Sequence, residues 1–399
     1  MSRPIVDLKA CPLSIPRFAP PMAAVRRKRS VKIDFGVSNI KNRMCICQNS
    51  DAQVTALAHH RAWLTEEETT LGLERTDHAL QVNIRARMGK PQDAAAIAAL
   101  LASTDPIFGA LAASNTATFA RLIDAEAIRT GCIELQQPDG GWLLGATGLS
   151  AFIDEATTRS WLAEPRANFP ALLLQRALTG STAFLTPSEI GRANAGDGLN
   201  LFILGFSYSL SPQSPLLPPL LTRAIGHFVS CHQGYKLLRL MREDPAPIAE
   251  MFLRSGMRAL AHFDPEPGQD VGRVAMVMER SETMPLFPNS PATMLFQFVP
   301  PQIGFSPSER RILHLALEGL SDGDLASELS ISPHTLKRSW RVIFDRALSA
   351  APLIFGSLAE PRDSQGVRGQ EKRRHLLQYL RDNPQELRPY DLPRKTRSR

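Results

Sequence analysis

At 399 residues the chain is long enough for two or three domains with sizeable cores. A composition of 43% hydrophobic and 21% charged residues excludes wholesale disorder, collagen and coiled coil. No apolar run approaches the roughly 18 residues that a membrane-spanning helix needs. Five cysteines (Cys11, Cys45, Cys47, Cys132, Cys231) are odd in number and too sparse for a disulfide framework. No secretory leader precedes them, so a reducing, cytoplasmic setting and no membrane association are expected.

The net charge of +7 is unevenly spread. Residues 1–43 carry ten Lys/Arg against two Asp/Glu, including the run Arg26, Arg27, Lys28, Arg29. Residues 362–399 carry eleven basic side chains against five acidic ones. The body between them is therefore mildly acidic, flanked by two arms suited to phosphate backbones or to solvation alone. Residues 1–50, broken by Pro4, Pro12, Pro16, Pro20 and Pro21, are expected to be irregular or disordered. Met22 and Met44 leave open that translation starts further along.

From residue 51 the composition is that of a folded domain. Lys90-Pro91-Gln92-Asp93 predicts a helix start, and Ala94 to Ala102 its body, with Ile97, Leu100 and Leu101 on one face. Gly131 to Leu135 and Trp142 to Phe152, joined by Pro138-Asp139-Gly140-Gly141, predict a hairpin. A further strand is expected at Leu199 to Ser207, then a proline-rich loop from Pro212 to Pro219. Leu221 to Arg242 reads as one long helix and Pro247 to Leu253 as a shorter one. Arg273 to Met278 and Ala292 to Val299 read as strands. The whole predicts an α+β domain over 51–300, closed by the linker signal Pro300-Pro301.

The segment Phe305 to Ala347 carries the densest pattern. Ser306, Pro307 and Glu309 form a capping-box start, and Ile312, Leu313, Ala316 and Leu320 share a face that ends at Gly319. Ser321 caps a short second helix bearing Leu325, Ala326 and Leu329. Ser332-Pro333 opens a third, with Leu336, Trp340, Ile343 and Ala347 as its inner seam. Its outer face bears Lys337, Arg338 and Arg341, with His334 and Thr335 at the start. Helix, turn and helix with a basic outer face suits a DNA major groove.

These residues, with Glu318-Gly319-Leu320-Ser321, Leu325-Ala326 and Ile331-Ser332-x-x-Thr335-x-Lys337, resemble the LuxR-type helix-turn-helix. The resemblance implies an all-α DNA-binding domain over 303–358. In it Thr335 would contact phosphate, and Lys337, Arg338 and Arg341 base edges or phosphates. Ser339, Trp340 and Ala347 depart from the family's usual residues, and Trp340 demands a repacked core. The segment's formal charge is zero, six basic against six acidic. In the basic tail, 359–399, Leu376, Leu377 and Leu380 mark a short amphipathic helix that either offers charge to phosphates or packs for stability. Ala351 to Leu358, where the family places a dimer helix, contains Pro352 and Gly356 and is poor for one.

The middle region lacks a phosphoacceptor receiver pattern, an acyl-homoserine-lactone cluster and a P-loop. Its element order from about 84 to 300 resembles acyl-CoA N-acyltransferases of the GNAT type. That family's pyrophosphate cradle, Arg/Gln-x-x-Gly-x-Gly/Ala, is replaced here by Tyr208-Ser209-Leu210-Ser211-Pro212-Gln213-Ser214-Pro215, whose prolines remove amide donors. Cys45-x-Cys47 with His59-His60 matches no usual zinc spacing. Cys132 and Cys231 read as buried small hydrophobes, His227 and His232 as lying on different helix faces, and His262, Asp264 and Glu266 as a solvated loop. No catalytic residue, metal ligand or cofactor is assigned. The leading expectation is a bacterial LuxR-type transcription regulator, a homodimer on double-stranded DNA, whose middle domain senses an unidentified small molecule. The alternative is a GNAT-like acyltransferase or acyl-CoA-binding protein with an accessory helix-turn-helix.

Overall fold

The computed structural model describes residues 82–181, 183–265, 270–283, 291–355 and 367–391. All of them belong to one compact unit, residues 79–399. The expectations for residues 1–50 and for Cys45, Cys47, His59 and His60 lie outside the described residues.

A seven-stranded sheet organises residues 82–283. In chain order its strands are β1 (Ile84–Met88), β2 (Arg129–Gln136), β3 (Trp142–Ile153), β4 (Leu199–Tyr208), β5 (Leu237–Pro245), β6 (Arg258–Phe263) and β7 (Arg273–Glu279), and in space they run β1-β2-β3-β4-β5-β7-β6. Every neighbouring pair is antiparallel except β4 and β5, which are parallel. A parallel pair needs a crossover. Here it is α7 (Leu217–His232).

Alternation along the strands builds two apolar layers. Phe202, Met241, Ala275 and Val277 face α1 (Ala94–Ala102), α2 (Pro106–Ser114), α3 (Thr116–Asp124), α4 (Glu155–Ala163) and α5 (Phe169–Leu178). Their one-residue neighbours Leu201, Leu240, Val274, Met276 and Met278 face the other way, with Ile190 of α6 (Pro187–Ala195) and Ala249 of α8 (Ala246–Arg254). Period-two placement over a sheet covered on both faces requires both sets to be apolar, as they are. The sheet is mixed, with helices on both faces, as an α+β domain requires.

Several sequence expectations need correction. Leu221 to Arg242 is not one helix: α7 ends at His232, Gly234 takes φ +86, and the chain returns as β5. A side chain at Gly234 would meet the backbone of Gln385 at 2.6 Å, so the turn needs glycine twice over. Ala292 to Val299 is not a strand but carries α10 (Pro291–Phe296), which follows the short α9 (Arg280–Thr283). Strands β1 and β6 escaped notice because Arg85, Arg87, Arg258 and His262 interrupt their apolar pattern.

The C-terminal part is a helical bundle: α11 (Pro307–Leu317), α12 (Asp322–Glu328), α13 (Pro333–Ala350), α14 (Pro352–Phe355) and α15 (Val367–Asp382). The serine caps form as read, with Glu309 N–H donating to Ser306 Oγ, Asp324 N–H to Ser321 Oγ and Thr335 N–H to Ser332 Oγ. Leu376, Leu377 and Leu380 of α15 join Leu313, Leu325, Leu336 and Ile343 in one core. That favours the packing reading of the tail helix over one that leaves it free.

After α15 the chain runs back across the sheet domain as a strap, Asn383 to Asp391. Arg388, 6% exposed, donates from Nε to the Gln233 carbonyl and from an Nη to that of Ser230, and its guanidinium lies 5.0 Å from the Tyr235 ring. Among the described residues no carboxylate pairs with it. The acceptors sit at the C-terminal end of α7, where helix carbonyls and the macrodipole favour a cation. Glu386, 1% exposed, accepts the amides of Gln302 and Ile303 and the Tyr379 hydroxyl, tying the linker to α15. Asn194 donates to the Pro389 carbonyl and Asp391 N–H to that of Gly191.

Candidate functional site

The parallel strands β4 and β5 pair only from Leu199↔Leu237 to Ile203↔Arg242. Beyond that point β4 stays with β3, through Gly205↔Leu149 to Tyr208↔Ala146, while β5 stays with β7 through Glu243↔Ala275 to Pro245↔Arg273. The sheet therefore splits at the carboxyl ends of its one parallel pair. The cause is local. The β3–β4 register shifts between Leu149 and Ser150, leaving Leu204 as the extra residue of a bulge. A bulge bends the strand and raises its twist, which carries Gly205 to Tyr208 away from β5. In open sheets the crevice outside the carboxyl ends of parallel strands, at the point where the topology switches, is where ligands bind.

Helix α7 follows β4 in the chain, and its start offers no anion cradle. Pro212, Pro215, Pro218 and Pro219 have no N–H. Gln213 N–H and Leu216 N–H donate to Ser211 Oγ and Ser214 Oγ, and Ser214, Leu217 and Leu220 donate to the carbonyls of Ser211, Ser214 and Leu216. Every amide from Gln213 to Leu220 is thus absent or used within the segment. The helix terminus that would hold a pyrophosphate is chemically closed.

At the end of β5 lies a buried polar network. Glu243 accepts the backbone amides of Asn168 and Phe169 at the start of α5, at 2.8 and 3.0 Å, and Arg273 Nε at 2.5 Å. Arg273 also reaches Asp105, whose other oxygen caps α2 by accepting Phe108 N–H. Burial pushes the Glu243 carboxyl up, against the pull of Arg273 and the two amides. With three donors already on its two oxygens, Glu243 fixes the ends of β5 and α5 rather than standing ready as a general base. The network joins two helix starts to one strand end through residues 30 to 168 positions apart, and no local pattern marks it.

A second pair has nucleophile–base geometry. Ser150 Oγ lies 2.8 Å from His232 Nε2, and His232 Nδ1 lies 2.8 Å from the Phe228 carbonyl. The carbonyl requires the proton on Nδ1, so Ser150 donates to Nε2. At 2% and 3% exposure neither can meet a substrate, and the pair serves to satisfy buried groups. Burial, reinforced by Arg129 and Arg388, holds the His232 imidazole well below its ordinary pKa. A depressed basic group stabilises the fold above its unfolded pKa and loses that contribution as pH falls. Stability should therefore drop by up to about 1.4 kcal/mol per pH unit below about pH 6.5. Urea unfolding at pH 7.5, 6.5 and 5.5 tests this, and His232→Gln should lessen the dependence without abolishing it, because His227 and His314 are also held low by burial.

Thr335, Lys337, Arg338 and Arg341 all lie exposed on α13, with Leu336, Trp340, Ile343 and Ala347 buried on its other side. The Thr335 hydroxyl is engaged by Ser332 Oγ at 2.9 Å. Trp340 is accommodated by Arg373, whose guanidinium stands 4.6 Å from its ring, and by Phe344 at 5.6 Å. Among the described residues no three His, Cys, Asp or Glu side chains are grouped to hold a metal, and no helix is long and apolar enough to cross a membrane.

No family model and no curated protein matches the chain. Solved structures that resemble it include acetyltransferases and an N-acyl amino acid synthase. Arabidopsis thaliana NAA60 in complex with acetyl-CoA is 13% identical, with 49% of this chain and 98% of that one covered at a TM-score of 0.32. FeeM, an N-acyl amino acid synthase from uncultured soil microbes, is 12% identical, with 52% and 97% covered at 0.31. The spermidine/spermine N-acetyltransferase SpeG from Vibrio cholerae, in complex with manganese ions, is 8% identical, with 50% and 93% covered at 0.28. At such scores the likeness says nothing of activity. The expectation of a DNA-binding LuxR-type transcription regulator is nonetheless corrected here: the solved structures this chain resembles include N-acetyltransferases and an N-acyl amino acid synthase, and none of those named is a regulator.

Proposed function

We propose that the protein binds an acyl thioester in the crevice between β4 and β5. The observation that carries this reading is the split of the parallel pair beyond Ile203↔Arg242, opposite the bulge at Leu204. A strand edge released from its neighbour presents amides and carbonyls to any extended ligand that carries amides of its own, as strand addition does. The pantetheine arm of an acyl thioester is such a ligand, and it is the arm that the GNAT resemblance implies.

Two features favour binding over catalysis. The α7 start has no free amide for a diphosphate, so the nucleotide end of coenzyme A gains little there. Glu243, the buried carboxylate nearest the end of β5, already accepts three donors. The terminal bundle is then a partner of this domain, held to it by the strap. Titration with S-acetyl-pantetheine tests the proposal: saturable binding that raises the melting temperature is expected. Absence of any shift at millimolar ligand would overturn it.

A further inference from the structure

Between the strap and the start of α11 lies a cavity of about 200 Å³, bounded by the linker before that helix, its first turn and the strap residues Glu386 to Asp391. At a water's liquid share of about 30 Å³ this is room for roughly seven waters, or for one small metabolite. It falls short of the roughly 300 to 1,000 Å³ that drug-sized ligands occupy, so neither a nucleotide nor the acyl thioester proposed above fits it. Two guanidiniums and two carboxylates line it. One of each is already engaged: Arg388 gives its guanidinium to Ser230, Gln233 and Tyr235, and Glu386 receives Gln302, Ile303 and Tyr379.

The other two groups, Arg310 and Asp391, are not engaged with each other. Arg310 donates one Nη to the Phe305 carbonyl, and the rest of its fork has no partner among the described residues. Asp391 is placed by its backbone, whose N–H donates to the Gly191 carbonyl, and by the bare Cα of Gly191, where a Cβ would come within 2.5 Å of Asp391 Oδ2. Its carboxylate has no hydrogen bond and no ion pair among the described residues. Burial disfavours the Arg310 charge, and Asp391 offsets this more than any other carboxylate does. Glu309, on the same helix, is held by the Ser306 amide and by Arg346. Opposite charges therefore face one cavity at more than the roughly 4 Å of an ion pair. We propose that this cavity binds a free α-amino acid, its carboxylate on the Arg310 fork and its ammonium on Asp391. A planar guanidinium matches a carboxylate bidentately, and a carboxylate takes the ammonium as a charged hydrogen bond. Pro301, Pro307 and the Tyr390 ring, stacked on Phe298 at 6.4 Å, form the rest of the wall, which suits an aliphatic side chain. Such a ligand bridges α11 to the strap and, through the Gly191 contact, to α6. The site is independent of the crevice between β4 and β5.

The test is calorimetric titration of the full chain with L-valine, with valinamide, which lacks the carboxylate, and with 3-methylbutanoate, which lacks the ammonium. Saturable binding of L-valine is expected, with each analogue weaker by about tenfold or more. Asp391→Asn should bring L-valine and 3-methylbutanoate within about twofold of each other, and Arg310→Gln should do the same for L-valine and valinamide. Asp391→Asn breaks no hydrogen bond among the described residues, so it decides the matter should Arg310→Gln unfold. No saturable binding of L-valine at millimolar concentration, equal affinity for L-valine and either analogue, or a preference over 3-methylbutanoate that survives Asp391→Asn would each overturn the site.

Discussion

Replacing Arg388 by alanine is expected to cost about 2 to 4 kcal/mol and to uncouple the terminal bundle from the sheet domain. The substitution strips the Ser230 and Gln233 carbonyls of their donors and removes the guanidinium that covers Tyr235. Those carbonyls end α7, and the cation there also answers the helix dipole. Lysine at the same position keeps the charge but not the planar fork that reaches two acceptors, so Arg388→Lys should fall between wild type and alanine. Urea unfolding followed by fluorescence and by far-ultraviolet dichroism should show one transition in the wild type and two in Arg388→Ala. A single, unshifted transition would mean that the strap lies on the surface without holding anything.

The second large effect is expected at Phe202, whose replacement by alanine should cost about 3 to 5 kcal/mol. Its ring sits 5.1 Å from Trp161 and 5.5 Å from Phe169, so β4, α4 and α5 meet on it. It lies two residues before the bulge, where the sheet begins to split. The cavity left by truncation is walled on one side by rings that do not collapse, Trp161 and Phe169 being stacked at 5.4 Å, and Met241, paired with Phe202 from β5, fills it only in part. Phe202→Leu, which keeps most of the volume, should recover more than half of the loss. Equal losses for leucine and alanine would show that ring geometry rather than volume matters.

What the sequence disclosed follows from the range of its signals. The capping boxes at Ser306 and Ser321 and the N-cap at Ser332 are complete within four residues, and they form as read. The hairpin of β2 and β3 was legible because Pro138 to Gly141 is local turn chemistry. Strand β5 was not, because Leu237, Leu240 and Met241 fit a helical spacing as well as a strand. Only Gly234, held at positive φ against Gln385, breaks the pattern, and the reason is a contact 151 residues away. The crevice itself was hidden for the same cause: it is a change of register between strands, visible in no single segment. The α7 start is the exception, since its prolines announced the loss of amide donors directly.

The terminal helices carry the strongest local pattern in the chain, whereas the proposed crevice has no local pattern at all. The face of α13 that carries Lys337, Arg338 and Arg341 is exposed, as its spacing required, yet exposure of basic residues on a capped helix is equally the property of any solvated helix. The split between β4 and β5, by contrast, is a feature that a sheet covered on both faces does not need for stability.

The most direct test is calorimetric titration of the full protein with acetyl-CoA and with S-acetyl-pantetheine, which lacks the nucleotide and its phosphates. A crevice that grips the thioester arm, with the α7 start after β4 having no amide to give, predicts that the two ligands bind with affinities within about threefold, or roughly 0.7 kcal/mol. Binding of acetyl-CoA alone, with the pantetheine thioester silent, would contradict the account, because it would place the binding energy on a phosphate site that the α7 start does not provide.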